Sequence, residues 1–433
     1  MRAWPTGGLW RHADFLRLWG AQTISQFGSQ ISFVAIPLVA IVTLEASPFE
    51  VAALGAVEML PFLLIALPAG VWVDRLPRKP ILVLGDLGRA LALSTIPLAY
   101  ALDVLTIWQL YVAGFIVGIF TVFFDVAYQS YLPSLVTREQ LVEGNSKLEI
   151  SRSGAQLAGP GVGGLLVSAI GAPYAVLVDA VSFAWSGGIV ARIRRAEQFE
   201  PAVEERNMRR ELVEGLRYLL GDARWRALSL YIATVNFFSS VAFSIFLVYA
   251  VRVLDWSPAL IGVVFALGNV GWLIGAALAS RVSARLGIGR TLVFGGVLSG
   301  GAFLLIPLAP ADDAVPIVLT AMTLISFGVV LFNVTGLSLF QALTPQRILG
   351  RMNASRRWLV WGTIPLGNLV GGVLAATIGL RPTITVGAVG ASLCCGFLLA
   401  RPVRTIRRLP EPAEPTLLEE LVELPLETQS AET

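Results

Sequence analysis

The feature that most limits what this chain can become is a train of apolar stretches, each long enough to cross a bilayer. A membrane-spanning helix needs about 20 consecutive apolar residues. Twelve such stretches are expected, at 15–44, 50–73, 80–100, 107–132, 148–170, 173–192, 227–252, 258–281, 290–309, 314–341, 354–378 and 381–401. Only 14% of the 433 residues are charged and 55% are hydrophobic, too few charges to dress a soluble protein of this length. Ordinary soluble domains carry about 25% charged residues. All the spans should be helices, because lipid offers the backbone no hydrogen-bond partners. No stretch shows the alternation of a membrane β-barrel. A soluble enzyme, a nucleic-acid binder and a disordered chain are all excluded.

Energy sources and cofactors narrow next. The chain has two lysines, Lys79 and Lys147, followed by Pro80 and Leu148. A phosphate-cradling loop needs Gly-Lys-Ser/Thr, so no hydrolysis of ATP by this chain is expected. The one histidine, His12, cannot build a metal cluster, and the neighbouring Cys394 and Cys395 make no disulfide framework. We expect no catalytic residues, no metal and no cofactor. The expected partners are the lipid bilayer, a small-molecule substrate and protons, with no nucleic acid and with the chain acting as a monomer.

Charge placement orients the spans. The loops 74–79, 133–147, 193–226, 282–289 and 342–353, with both tails, hold or border nearly all of the 32 Lys and Arg. Of the opposite turns, only two carry a basic residue, Arg252 and Arg381. Basic loops stay in the cytoplasm, so a bacterial plasma (inner) membrane protein with both termini cytoplasmic is expected. The segment 193–226 separates a six-span unit, 1–192, from a second, 227–401. From Glu211 to Trp225 it turns amphipathic, which fits a helix on the inner membrane surface or a solvated linker helix. The tail 402–433 is acidic and proline-rich and reads as disordered.

The two units resemble each other. Glu45-Ala46-Ser47-Pro48 matches Asp255-Trp256-Ser257-Pro258 at an offset of 210, and Gln26, Ser29, Phe33 and Arg75 meet Asn236, Ser239, Phe243 and Arg285. Further on the offset is 208. There Phe124 meets Phe332, Asn145 meets Asn353, Gly159 meets Gly367, and Gly163-Gly164 meets Gly371-Gly372. A duplicated six-helix unit is the plan of the major facilitator transporters, with the substrate site near mid-membrane between the repeats.

Three motifs strengthen that resemblance. Gly70-Val71-Trp72-Val73-Asp74-Arg75-Leu76-Pro77-Arg78-Lys79 closely resembles the family's loop motif between the second and third spans. It departs from it in Pro77 and Lys79. The resemblance implies a cytoplasmic gate of Gly70, Asp74, Arg75, Arg78 and Lys79, with Arg285 in the second half. Asp86 and Arg89, three apart in the third span, read as a structural pair or part of that gate. In the fifth span Gly159, Pro160, Gly163 and Gly164 resemble the motif that antiporters of this superfamily carry there, which implies export. Small residues let helices approach closely, and ordinary tight packing is the competing reading. The stretches Phe123–Pro133 and Val178–Phe183, with Asn145, Ser146 and Lys147, look like the branch that includes macrolide-efflux and enterobactin-export proteins. The expected fold is therefore all-α and integral to the membrane, with twelve transmembrane helices in two pseudo-repeated six-helix bundles, the major facilitator fold.

Charges inside the spans are costly, roughly 3 kcal/mol at the bilayer centre. Glu58, Asp125 and Asp179 stand there and are the proton-coupling candidates. Each also has a plainer reading, as a hydrogen-bond partner, a cap or a ligand for a cationic substrate. The arginine that the family carries in its fourth span is absent. Polar residues at helical spacing place Gln22, Gln26 and Gln30 with Phe33 on one face of the first span. Asn236, Ser240 and Phe243 repeat that face in the seventh. These, with Asn269 and Trp272, are the substrate-cavity candidates, and helix–helix hydrogen bonding is their alternative role. The expected function is proton-coupled export of amphiphilic small molecules, of a drug or siderophore kind. Uptake or uniport on the same fold, and lipid translocation, remain open.

Overall fold

The computed structural model describes residues 8–73, 75–194, 197, 217, 220–343 and 346–406. Among the described residues there are helices and turns but no strand. The first span is α1 (Ala13–Leu38), which runs on through a wide π turn at Val39–Thr43. The second is broken at Ile65 into α2 (Pro48–Leu64) and α3 (Ala66–Val73). The third to sixth are α4 (Arg78–Ala101), α5 (Ile107–Leu135), α6 (Leu141–Ile170) and α7 (Ala172–Ala191). The seventh is α8 (Ala223–Arg252), and the eighth is broken at Asn269 into α9 (Pro258–Gly268) and α10 (Val270–Leu286). The ninth is α11 (Ile288–Phe303) with the short α12 (Leu305–Leu308). The last three are α13 (Ala314–Leu343), α14 (Gln346–Ile378) and α15 (Leu380–Leu393). Among the described residues ten helices are long and apolar enough to cross a membrane. The two further spans are the interrupted second and the fifth, whose glycines and serines dilute its apolar character.

The repeat is written into the helix starts. Ala13 and Ala223, Pro48 and Pro258, and Arg78 and Ile288 each open a helix, all at the offset of 210. Local chemistry repeats with them. Ser47 and Ser257 each accept the N–H three residues on, with proline at the first helical position. That is a strong helix start. Just before them Glu45 and Asp255 adopt φ of 49° and 53°, a conformation few non-glycine residues take. Gly171 and Gly379 break the chain before the sixth and twelfth spans with φ of 85° and 90°.

Packing repeats too. The first span packs on the fifth and sixth, the third on the fourth and sixth, and the second on the fourth. The seventh packs in the same way on the eleventh and twelfth, the ninth on the tenth and twelfth, and the eighth on the tenth. Two crossings dominate between the halves: α2 against α14, and α9 against α6. We call inner the end that carries residues 75–79 and 138–140. One apolar core fills the outer part and takes residues from both halves, among them Val34, Leu54, Val176, Tyr249, Ile261 and Ala375. At the inner end each half has its own core, around Phe15, Leu82 and Tyr131 in one and Trp225, Leu292 and Phe340 in the other. The inner segments α3 and α10 pack on the fourth and tenth spans of their own halves. Among the described residues the halves thus share a core outside and have separate cores inside.

Three expectations meet a different outcome. The fifth and eleventh helices begin at Leu141 and Gln346, earlier than 148 and 354, because polar inner turns carry the helix past the apolar stretch. Residues 402–406, expected in a disordered tail, are folded. Arg401–Arg404 form a short helix α16, Val403 is buried, and Gly289 N–H donates to Ile406 O at 2.8 Å. Glycine at 289 makes room, since a Cβ there would meet the Val403 carbonyl. Asp74, most of the amphipathic stretch 211–225 and residues 407–433 lie outside the described residues.

Candidate functional site

The candidate site lies where the joined outer part gives way to the separated inner part. The fifth span makes the join with two faces. Gly159 and Gly163 press on Gln30 and Ile31 of the first span, in their own half. Gly164 presses on Pro258 and Gly262 of the eighth span, in the other half. The eleventh span does the same, with Gly367 and Gly371 against the seventh span and Gly372 against Phe49 and Ala52 of the second. One face of the antiporter-like motif is therefore a backbone-to-backbone crossing between halves, with Pro160 lying in it: a Cβ on Gly262 would sit 2.5 Å from the Pro160 carbonyl.

Polar contacts reinforce the outer seal. Arg252 donates to Ala46 O at 2.7 Å, and Ala259 N–H donates to Ser168 Oγ at 3.0 Å. Both bonds join the halves. Arg381 clamps Pro307 O and Ala309 O within the second half, at 2.7 and 2.9 Å. The two basic residues of the outer turns thus serve backbone carbonyls. Arg252 had a signal in the sequence, as a cation on the side that otherwise lacks them.

Among the described residues two contacts lie toward the inner side of the join. Phe62 stacks on Trp361 with ring centroids 4.7 Å apart. Asn269 Nδ2 donates to Gln156 O at 2.8 Å, at the break of the eighth span. At 1.5 Å per residue, Phe62 lies about 21 Å in from Pro48, past the middle of a core about 30 Å thick. Trp272, one turn inward of Asn269 and the repeat partner of Phe62, is 42% exposed. Trp361 and Gln156 were not singled out from the sequence.

The polar stripe is only partly gathered here. Gln26, Gln30, Asn236 and Ser240 are half-buried. Gln30 packs on Gly159 and Ser240 on Gly367. Phe33 is exposed and meets Phe265 edge-on at 6.1 Å, across the halves. Gln22 is buried inside its own bundle, and its amide nitrogen has no hydrogen-bond partner among the described residues. Phe243 turns away from the centre, edge-on to Phe303 at 5.4 Å and to Phe246 at 6.2 Å.

The intramembrane acids fall into two groups. Glu58 lies against Gly114 of the fourth span, where a Cβ would come 2.9 Å from its Cγ. Among the described residues no cation and no hydrogen-bond donor meets its carboxylate. Asp86, Arg89 and Asp179 form a buried set inside the first bundle. Arg89 donates to Asp86 Oδ1 at 2.6 Å and to Gly85 O at 3.2 Å, and Ser186 donates to Asp86 Oδ2 at 2.7 Å. The guanidinium is sandwiched between Phe124 and Phe183, at 4.2 and 4.1 Å from their centroids. Ser182 donates to Asp179 Oδ1 at 3.0 Å. Asp125, half-buried, lies within electrostatic reach of Arg89. The structure places Asp86 and Arg89 within a bundle, not between the halves.

At the inner face the loop motif engages its own half. Arg78 pairs with Glu197 at 2.8 Å, and Lys79 Nζ donates to Ile193 O at 2.7 Å. Arg75 and Arg285 are exposed, and a Cβ on Gly70 would meet open space.

Comparison with known proteins agrees with this architecture. The Multidrug efflux pump Tap of Mycolicibacterium fortuitum is 25% identical over 368 residues, 82% of this chain and 88% of that one. Macrolide efflux protein A of Streptococcus pyogenes is 22% identical over 404 residues, 91% of this chain and 97% of that one. A bacterial homologue of the iron transporter ferroportin, solved in an inward-facing state, superposes with a TM-score of 0.72 at 18% identity, covering 91% of this chain and 99% of that one. Residues 18–365 match the family model of the Major Facilitator Superfamily. With its repeated six-helix bundles crossing at α2–α14 and α6–α9, this multi-pass membrane chain belongs to the Major Facilitator Superfamily of transporters.

Proposed function

We propose that this protein exports amphiphilic small molecules from the bacterial cytoplasm in exchange for protons, by alternating access. The observation that carries the reading is the likeness, over nearly the whole chain, to two efflux proteins. The architecture supports it. With the basic loops in the cytoplasm, the separated inner ends form a vestibule open to that side. Its roof is Phe62, Trp361, Asn269 and Gln156. Aromatic rings beside amides suit a ligand with an apolar body and a few polar groups. Glu58, with no partner among the described residues, is the group in this region best placed to take a proton or a cationic part of the substrate.

The test is transport by the reconstituted full chain. Vesicles with an imposed proton gradient should accumulate labelled erythromycin or ethidium uphill, and adding either compound should move protons the opposite way. Movement of substrate and protons in the same direction would replace export by uptake. Glu58→Gln should abolish uphill transport, and normal accumulation by that variant would remove Glu58 from the coupling step.

A further inference from the structure

The two halves share a backbone plan, but one of them holds charge where the other holds ring and glycine. Gly28 of the first span packs on Asp179 and Ser182 of the sixth. The repeat partners of these residues are Phe238, Gly387 and Gly390, and there Phe238 packs on both glycines. The ring thus fills the place that Ser182 fills in the first half, while the Phe238 carbonyl and Ala242 close over Gly387, the place of Asp179. Asp86 and Arg89 likewise correspond to Gly296 and Ser299. The contacts keep the register: Gly187 lies against Asp86, and its partner Cys395 donates to Gly296 O at 3.1 Å. The fold can evidently close this position without a single charge. The charges are therefore not needed for packing, although burying them is costly.

The charges also do not balance. Among the described residues Arg89 is the cation that acts on both Asp86 and Asp179. Asp86 takes the direct ion pair and a hydroxyl donor. Asp179, 1% exposed, has the Ser182 hydroxyl, and the Ser32 hydroxyl faces it without completing a hydrogen bond. Ser32 is itself 6% exposed. From the third span Asp86 and Arg89 face Asp179, and from the first Gly28 and Ser32. The charged residues of the fifth span, Glu143 to Arg152, all lie in its inner half.

We propose that Asp179, in its pocket of Ser32, Ser182 and Arg89, is a proton-binding site of the transport cycle that lies inside the first bundle and apart from the substrate vestibule. The inference rests on the antiport reading and adds to it where a proton is held. The Asp179 carboxylate takes up one proton to become the neutral acid and returns it later in the cycle. In the ionised form Asp179 competes with Asp86 for Arg89. Its oxygen touches the bare backbone of the first span at Gly28, and that span packs through Gln30 and Ile31 on the fifth, which seals the outer end. The proton therefore acts on the seal through helix packing and does not displace substrate directly.

The experiment uses the purified full chain in lipid nanodiscs and infrared difference spectra between acid and alkaline buffer. Wild type should show a titrating carboxyl band of which one component is lost in Asp179→Asn. A second variant, Gly28→Phe with Asp179→Gly and Ser182→Gly, copies the packing of the other half. It should fold, lose the same band component and lose gradient-driven accumulation of labelled erythromycin, while erythromycin exchange without a gradient continues. Unchanged spectra in Asp179→Asn, or wild-type uphill accumulation by either variant, would overturn the proposal. A wild-type protein that accumulates nothing against a gradient would instead refute the antiport reading, whatever the infrared band shows.

Discussion

The crossing of the fifth and eighth spans yields a sharp prediction. A Cβ added at Gly164 would lie 2.9 Å from Gly262 Cα and 3.0 Å from Gly262 N, and closer still to the Pro258 carbonyl. All three are backbone atoms, so no side chain can rotate away. The helices must part, and overpacking of this kind costs about 1–3 kcal/mol. The clash exists only while the halves are joined outside. The whole cost therefore falls on that state and shifts the equilibrium toward the outward-open one by about 5- to 150-fold. Spin labels at Arg75→Cys and Arg285→Cys, exposed and repeat-related on the inner ends, report the change, since their separation shortens as the inner side closes. The native cysteines are buried and do not compete for label. Gly20→Ala is the control, because nothing lies within 4 Å of a Cβ there. If Gly164→Ala leaves the distance distribution like that of the control, the crossing is not the outer seal and the reasoning is wrong.

Three further outcomes are expected. Arg252→Ala removes a charge-assisted bond to Ala46 O across the same seal, worth about 1.5–3 kcal/mol, and should shift the label distances in the same direction as Gly164→Ala. Asp86→Ala strips buried Arg89 of its 2.6 Å partner and should lower stability by about 3 kcal/mol, read from thermal melting in detergent, whereas Ser186→Ala should cost about 1 kcal/mol. Asp222 caps α8 through Arg224 N–H at 2.7 Å. Partial burial pushes its carboxyl up, but the Arg224 side chain and backbone donors outweigh this and hold it below the usual range. The contribution of that ionised cap is thus present above the ordinary aspartate range and lost as pH falls through the lowered value. Asp222→Ala should cost about 1 kcal/mol at neutral pH, and the difference in melting should vanish in acid.

Much of the architecture was legible because its signals are local. Span lengths, the Ser47 and Ser257 caps and the turn residues Gly171 and Gly379 depend on neighbours in the chain, and the offsets of 210 and 208 relate them between the halves. The site was less legible because helical spacing gives a direction around one helix and not the neighbour in that direction. Gln22 and Gln26 fall on one expected face, yet Gln22 is buried in its bundle while Gln26 is half-exposed. Phe243 shares the seventh-span face with Ser240, yet its ring reaches the ninth span. The i, i+3 spacing of Asp86 and Arg89 revealed a pair, but Ser186, a hundred residues on, completes it. The fifth-span glycines announced close packing, but only the structure divides them between a partner in their own half and one in the other.

Glu58 shows how the repeat separates function from packing. Its partner at the offset of 210 is Gly268, and the glycine it rests on, Gly114, corresponds to Met322 at 208. In the second half a Cβ on Gly268 would lie 2.7 Å from Met322 Cβ, so the large side chain enters the same gap from the opposite helix. One gap between paired spans is filled by a methionine in one half and by a glutamate in the other. Glu58→Met would place the same volume and chemistry in the first half that the second half already tolerates. A volume-conserving apolar filling costs under about 1.5 kcal/mol, and removing a carboxyl from mid-membrane offsets part of that. The variant should melt close to wild type and yet fail to accumulate substrate against a gradient. If it transports uphill normally, Glu58 fills space as Met322 does, and proton coupling must rest on the other intramembrane acids, Asp125 and the Asp86–Arg89–Asp179 set.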